Sequence, residues 1–372
     1  MIIPSFFGEN ATSPSIQALV DNTLDTLQVK SLWRQFLDVD LPQASLSFEQ
    51  VIGRARIEAA GSIVDIDAPA PMRGNNTIEK YFGAIPSIKE KFVMKQSELR
   101  DLMALEESQL LGGNASVRAL ITKLYDHVSV AAVAGDKRVD ILLLQAMSTL
   151  AMDVSVTNNP DGAALGTIDL LPKAYQKQGV PVVWTDAANA KPVDDIDNFI
   201  EYISTNFGRG FGRLVMSRSL WRTFRATAQV QSRLVSFFNI GKQAATYAPT
   251  LQAVNEMFDQ NGWPPIVLIN DVIGVEKDGN ISSFKFFDAN NVSFLPDGMI
   301  GTLKNAVPME RIKPIQTKAY ADFGPTLISK WGEDDPYREY TAMEMNACPA
   351  LNTDAIFLLK TTTVQSSFNS TP

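Results

Sequence analysis

The sequence predicts an α+β protein with more than one packed unit. A helical periodicity over residues 114–152 far exceeds the ~11–12 residues of an average helix. Extended patterns dominate 48–95 and 311–360, whereas helices and strands alternate over 194–298. At 372 residues, the chain also outgrows what one core usually organises.

Composition narrows the chemistry. Hydrophobic residues make up 45% and charged residues 20%, the balance of a globular chain with ample core. The net charge of −8, from 41 acidic against 33 basic residues, argues against a broad phosphate-binding surface. One Cys and one His exclude an intrachain disulfide, a Cys/His zinc site and a multi-histidine metal site. The start, MIIPSFFGENATSPS, lacks a basic n-region and a long apolar stretch, and no run approaches a membrane span. The expectation is a soluble, intracellular protein with no membrane contact.

The elements follow in order. Residues 1–47 hold one helix-like patch, SIQALVDNTLDTL, and read as an arm that packs either on its own body or on a neighbour. Residues 48–95 read as one long β-hairpin, with APAPMRGNN as its turn region. A lone hairpin is marginal in water, so this one needs a partner surface. Its charged residues Arg54, Arg56, Glu58, Arg73, Glu79, Lys80, Lys89 and Lys91 suit electrostatic docking, the alternative being a solvated face. A helix over 97–111 stops at Gly112-Gly113. The spine helix then runs over 114–152, capped by Asn114 or Ser116, with Gly135 as a possible bend. Residues 153–193 are turn-rich.

Residues 194–298 read as an α/β unit. It contains the helix DDIDNFIEYISTNF, the buried strand GRLVMSRS and two helical stretches, LWRTFRATAQV and QSRLVSFFNI. An amphipathic helix closed by Gly262, the strand PPIVLINDVIG and a hairpin turning at Asp278-Gly279 complete it. The strand NVSFL ends the unit at a Pro-Asp-Gly turn, and Met299 and Ile300 beyond it are expected in the core. Residues 311–360 return to strands, with the acidic GEDDP at a hairpin tip.

No chemical constellation stands out. GRGFGR (Gly208, Gly210, Gly212) superficially resembles a nucleotide loop but lies between a helix and a strand, the wrong order. Asp194, Asp195 and Asp197 could hold a metal, although helix capping accounts for the first two. His127 falls inside the spine helix and reads as structural, and Cys348 as buried and inert. Glu333, Asp334 and Asp335 crowd one tip and repel unless Lys330, Arg338 or a cation screens them. The sequence therefore predicts no catalytic residue, cofactor or metal. An arm and a hairpin that are unstable alone point to an assembly subunit.

The order of segments resembles the major capsid protein of tailed phages, in particular the lambda-like major capsid protein E family. NVSFLPDGMIGTL is similar to that family's Phe-Leu-Pro-Asp turn and apolar strand. DPYREYTAMEMNACPALNTDAIFLLK resembles its Asp-Pro-x-Arg-Glu-aromatic-Thr-Met segment and final strand. DDIDNFIEYI and GRLVMSRSLWRTFRA fall where the family has a helix and then a strand-to-helix step. The resemblance implies the HK97-like fold. It assigns 1–47 to an N-terminal arm, 48–95 to the E-loop and 97–192 to the first part of the P-domain with its spine. It assigns 194–298 to the A-domain, and 299–372 to the rest of the P-domain with the C-terminal strand.

The implied role is structural. Hexamers and pentamers of the chain form an icosahedral shell around double-stranded DNA, which it encloses without sequence-specific binding. Scaffolding, portal and decoration proteins are further partners. The implied location is the virion, and the host cytoplasm during assembly. Contact candidates between copies are the E-loop residues Arg54, Arg56, Glu58, Arg73, Glu79 and Lys80, and the tip residues Glu333, Asp334, Asp335 and Arg338. A cellular nanocompartment shell of the same fold and a soluble α/β enzyme are the competing readings.

Overall fold

The computed structural model describes residues 2–22, 31–53, 78–109, 115–162, 164–238, 249–277 and 279–369. Helices and strands mix throughout, as an α+β chain requires. Along the chain the first strands are β1 (Ile2–Ile3), β2 (Leu37–Val39), β3 (Ser47–Gly53), β4 (Ile78–Ala84) and β5 (Ser87–Lys95). The middle supplies β6 (Ala151–Val154), β7 (Gly166–Asp169), β8 (Lys177–Val180), β9 (Arg213–Ser217), β10 (Ile266–Ile269), β11 (Ile273–Lys277) and β12 (Asn280–Phe284). The last are β13 (Asn291–Leu295), β14 (Gly301–Ala306), β15 (Ala319–Phe323), β16 (Thr326–Asp334), β17 (Tyr337–Leu351) and β18 (Phe357–Val364). The helices are α1 (Ser13–Asn22), α2 (Gln96–Gln109), α3 (Ala115–Thr149), α4 (Pro192–Phe207), α5 (Arg218–Ala226), α6 (Ala228–Phe237), α7 (Leu251–Gln260) and α8 (Met309–Ile312).

Two compact units emerge. The first gathers the described residues of 1–48, 82–142 and 301–350. Its seven-stranded sheet runs β1-β16-β17-β14-β2, with β15 also on β16 and β5 also on β17. β16 and β17 form the predicted hairpin, in register from Leu327 opposite Glu344 to Asp334 opposite Tyr337. Gly135 does not interrupt α3, which continues as helix through it. A Cβ there would lie 2.6 Å from Met343 Cε and 2.9 Å from Met345 Sδ, so the missing side chain permits close helix-to-sheet packing.

The second unit gathers the described residues of 49–81, 143–300 and 351–369. Its five-stranded sheet has the order β10-β9-β13-β18-β8. β10 and β9 are parallel, β13 runs antiparallel to both β9 and β18, and β18 and β8 are parallel. α4 begins with Pro192, where a missing N–H costs nothing, and Asp194 and Asp195 favour its positive end. Its buried face is Val193, Ile196, Phe199, Ile203 and Phe207, a helical spacing. Each such side chain contributes about 1.5–3 kcal/mol when fully buried. Phe294 sits at the centre of an aromatic cluster, edge-on to Phe199 at 4.9 Å and to Phe211 at 5.3 Å. The last turns of α3 also belong to this unit. Their carbonyls are satisfied from β13: Ser293 Oγ donates to Met147 O at 2.7 Å and Asn291 Nδ2 to Ser148 O at 2.8 Å.

Several expectations are corrected. The 48–95 stretch is not one hairpin. β3 pairs β4, but Ile85 and Pro86 separate β4 from β5, and β5 pairs β17 from Ser87 to Lys95. A proline cannot donate to the β3–β4 ladder, so the ladder ends and the next strand finds a new partner. The spine ends at Thr149 rather than 152, because Leu150 takes a positive φ and β6 begins at Ala151, while the predicted cap Asn114 lies outside the described residues. The turn-rich 153–193 region contains β7 and β8, and its residues group with the second unit. The C-terminal strand β18 does not join the first unit's sheet. It lies between β13 and β8, where Phe357, Leu358 and Leu359 are fully buried. After the turn at Gly298, Ile300 is buried as expected, but Met299 is 45% exposed. A Pro-Asp-Gly turn faces water, and only the second of the two apolar residues has turned inward.

Candidate functional site

The acidic tip forms as the sequence suggests. Asp334, Asp335 and Arg338 are exposed at the end of the β16–β17 hairpin, and Glu333 lies opposite Arg338 across the ladder. What the sequence does not reveal is a neighbour: β1 of the arm pairs beside the tip, Ile2 opposite Glu333 and Ile3 opposite Gly332. Arg54, Arg56, Glu58 and Arg73 lie outside the described residues. Glu79 and Lys80 belong to β4, where only the backbone is described. Lys89 bridges Glu344 at 3.2 Å across the β5–β17 ladder, and Lys91 stands over the Tyr340 ring at 4.5 Å.

The described arm residues pack on their own unit. Ile16 and Val20 of α1 are buried, and Gln17 exchanges two side-chain hydrogen bonds with the Asp322 backbone, at 2.7 and 3.1 Å. The anchor is a buried ion pair. Lys330 Nζ lies 3.4 Å from Glu339 Oε1, both side chains 1% exposed. Lys330 also donates to Thr341 Oγ1 at 3.0 Å and stands over the Phe7 ring at 4.7 Å. Glu339 accepts from Ser5 Oγ and from the Phe6 N–H. Burial holds the Lys330 ammonium below the usual lysine range, an effect that Glu339 opposes. A second station uses α3: Asp136 accepts from Ser31 Oγ and Arg34, and Asp140 Oδ1 accepts from Trp33 N–H at 2.8 Å. Burial raises the Asp140 carboxyl above its usual range, against the pull of Lys137. Sequence reading misses these groups because β16 is buried at nearly every position, so no alternation flags Lys330 as inward.

The enzyme-like candidates disperse. Asp194 pairs with Arg233 at 3.0 Å, Asp195 accepts from Trp184 Nε1 at 2.8 Å, and Asp197 accepts from Trp263 Nε1 at 2.8 Å. The three carboxylates thus serve three different partners, and no cluster of metal-ligating residues occurs among the described residues. Burial pushes the Asp195 carboxyl up to about 6 despite the Trp184 hydrogen bond. In GRGFGR, Gly208 caps α4 in the left-handed conformation. Gly212 is needed for room, since a Cβ there would fall 1.8 Å from Asp297 Oδ1 and 2.8 Å from Asp297 Cα. Asp297 lies against Gly212 on one side while the turn itself stays exposed. His127 lies edge-on to Phe92 at 6.3 Å in the first unit. Cys348 is buried, and its thiol is pushed up to about 12. An open cleft of about 430 Å³ in the second unit is lined by Gln145, Asp153, Thr167, Ser217, Lys285 and Asp288, among others. Ser217 is already committed to capping α5, accepting from Leu220 N at 3.0 Å. No described helix is long and apolar enough to cross a membrane.

No protein-family model matches the sequence, and no curated protein does. The fold itself is matched among solved structures. The putative capsid protein of a prophage of E. coli CFT073 aligns over 94% of this chain and 98% of its own, with a TM-score of 0.54 at 14% identity. The cyanophage A-1(L) capsid aligns over 92% and 94%, with a TM-score of 0.48 at 13% identity. A phage-related protein of Bordetella bronchiseptica RB50 covers 96% and 99%, with a TM-score of 0.47 at 12% identity. Agreement with the first of these over nearly the full length of both chains identifies the α+β fold of this chain as that of a phage capsid protein.

Proposed function

We propose that the chain is the major capsid protein of a tailed phage or prophage, building an icosahedral shell from hexamers and pentamers of itself around double-stranded DNA. The observation that carries this reading is the match to the prophage capsid protein over nearly the full length of both chains. An acidic chain of net charge −8 suits a container that holds DNA without gripping it broadly. On this reading the protein resides in the virion, after assembly in the host cytoplasm with scaffolding, portal and decoration partners. The tip residues Glu333, Asp334, Asp335 and Arg338, and the hairpin residues Arg54, Arg56, Glu58, Arg73, Glu79 and Lys80, are proposed contacts between copies.

Electron microscopy of the expressed protein tests the proposal. Capsomers or closed shells are expected, and a monodisperse monomer at high concentration overturns it. Small shells that co-purify with cargo peptides and lack DNA would instead favour the nanocompartment reading. Neutralising Asp334 and Asp335 is expected to change shell stability or its salt dependence, and no change in either removes the tip from the contact set.

A further inference from the structure

α5 carries a basic face that neither the fold nor the core explains. Arg218, Arg222 and Arg225 are all exposed, and none forms an ion pair or hydrogen bond among the described residues. At 100° per residue the three fall within about 60° of one another, along about 10 Å of helix. Leu220 and Phe224 are buried on the far side of the helix and Trp221 is buried beside the arginine row, so packing sets the direction in which the guanidinium groups point.

Two comparisons mark this face as unusual. On the neighbouring α6, Arg233 is neutralised by Asp194 at 3.0 Å, whereas the α5 arginines have no such partner among the described residues. Arg218 occupies the first turn, where the helix dipole disfavours a cation, and that turn has no acidic residue. A local rule is broken with no acidic partner for the arginines among the described residues, in a chain whose net charge is negative.

The chemistry selects the partner. Protein docking faces centre on apolar or aromatic anchors with a polar rim. This face exposes none: Ser219, Thr223 and Ala226 flank the arginines on one side, Trp221 on the other is buried, and α5 exposes no large apolar side chain. Guanidinium forks in a row suit phosphate oxygens. We propose that the Arg218–Arg222–Arg225 face is a local, sequence-independent contact for phosphates of double-stranded DNA. The identity of that DNA as the packaged genome rests on the shell reading above, but binding itself does not.

The test uses full-length protein as dissociated subunits and a short mixed-sequence duplex, with affinity followed by anisotropy between about 50 and 200 mM salt. Wild-type protein is expected to bind with a steep salt dependence. The triple variant Arg218→Gln, Arg222→Gln, Arg225→Gln is expected to bind at least tenfold more weakly. Its log–log salt slope should be shallower by about 0.9 for each arginine that met a phosphate. A control that removes three exposed lysines elsewhere (Lys95→Gln, Lys277→Gln, Lys313→Gln) should keep both affinity and slope. The proposal is overturned if the control loses as much as the α5 variant. It is equally overturned if the α5 variant binds like wild type, and loss of assembly alone would then make the face a protein contact. Should the triple variant misfold, Arg222→Gln carries the same test with a slope change of about 0.9. Micrographs separate the two readings: DNA binding lost with α5 in a protein that never forms shells keeps this site and rejects the shell.

Discussion

The two units solve the same folding problem with different materials. The second is held by an apolar interior in which Phe199, Phe294, Phe357 and Trp184 are fully buried. Its buried polar groups are mostly neutral amides and hydroxyls, such as Gln176, Asn291 and Ser293. The first buries charges, Lys330 with Glu339 and Asp136 against the partly buried Arg34, and uses them to bind pieces of chain 102 and 334 residues apart. Apolar contacts are strong but undirected. A buried charge adds little net stability, yet it is costly to leave unpaired, so it dictates which segment must arrive. The α/β unit can therefore be read as a core, and the first unit as a set of attachments.

This contrast can be broken at four points. Phe294→Ala should cost about 3–5 kcal/mol, from a lost ring and the cavity it leaves. Native-state hydrogen exchange should place the loss in the second unit, and a loss below about 1 kcal/mol would mean that the aromatic cluster does not organise it. Glu339→Leu should cost about 3 kcal/mol, because Lys330 stays buried without its carboxylate. The double variant Glu339→Leu, Lys330→Met should recover most of that stability while exchange at residues 2–7 stays raised. A double variant no better than the single one would refute attachment by charge pairing.

The third test is pH. Asp195 titrates at about 6 in the folded unit against 3.8 ordinarily, so the fold binds its proton more tightly than the unfolded chain does. Its stabilising contribution is complete below pH ~4 and disappears as pH rises through about 6. Asp195→Asn keeps an acceptor for Trp184 and should stabilise the second unit by up to about 3 kcal/mol at neutral pH. A denaturation series across that window should show the variant's curve flattened, and parallel curves would reject the assignment. The smallest effect is expected at Asp40. Its hydrogen bond from Lys304, at 2.5 Å, holds the carboxyl below the usual range. The contribution is therefore present above pH ~4 and lost on acidification. Asp40 is 40% exposed, so Asp40→Asn should change stability by less than about 1 kcal/mol. A larger loss would move Asp40 into the class of Glu339.

Local patterns were legible. The long helix, the α4 face, the β11–β12 hairpin and the acidic tip can each be read from a short window of sequence, because period and turn chemistry are local properties. Candidate contacts were legible only as charges. Nothing in KPIQTKAYADFGPTLISKWGEDD distinguishes buried Lys330 from exposed Lys313. The α5 arginines were also visible as residues. Their common exposure and lack of partners became apparent only once Leu220, Trp221 and Phe224 had a core to face.

The sequence alone determined the α+β class, the order of the elements and the exclusion of an intrachain disulfide and a multi-histidine metal site, since these follow from counts and periodicities. Only the tertiary structure decided that β5 leaves its hairpin for β17, that β18 completes the second unit's sheet, and that the described arm residues lie on their own unit. A strand's two edges carry the same backbone donors and acceptors whatever its side chains. Its partner is therefore chosen by whichever distant segment can bury the matching face, and no local window contains that choice.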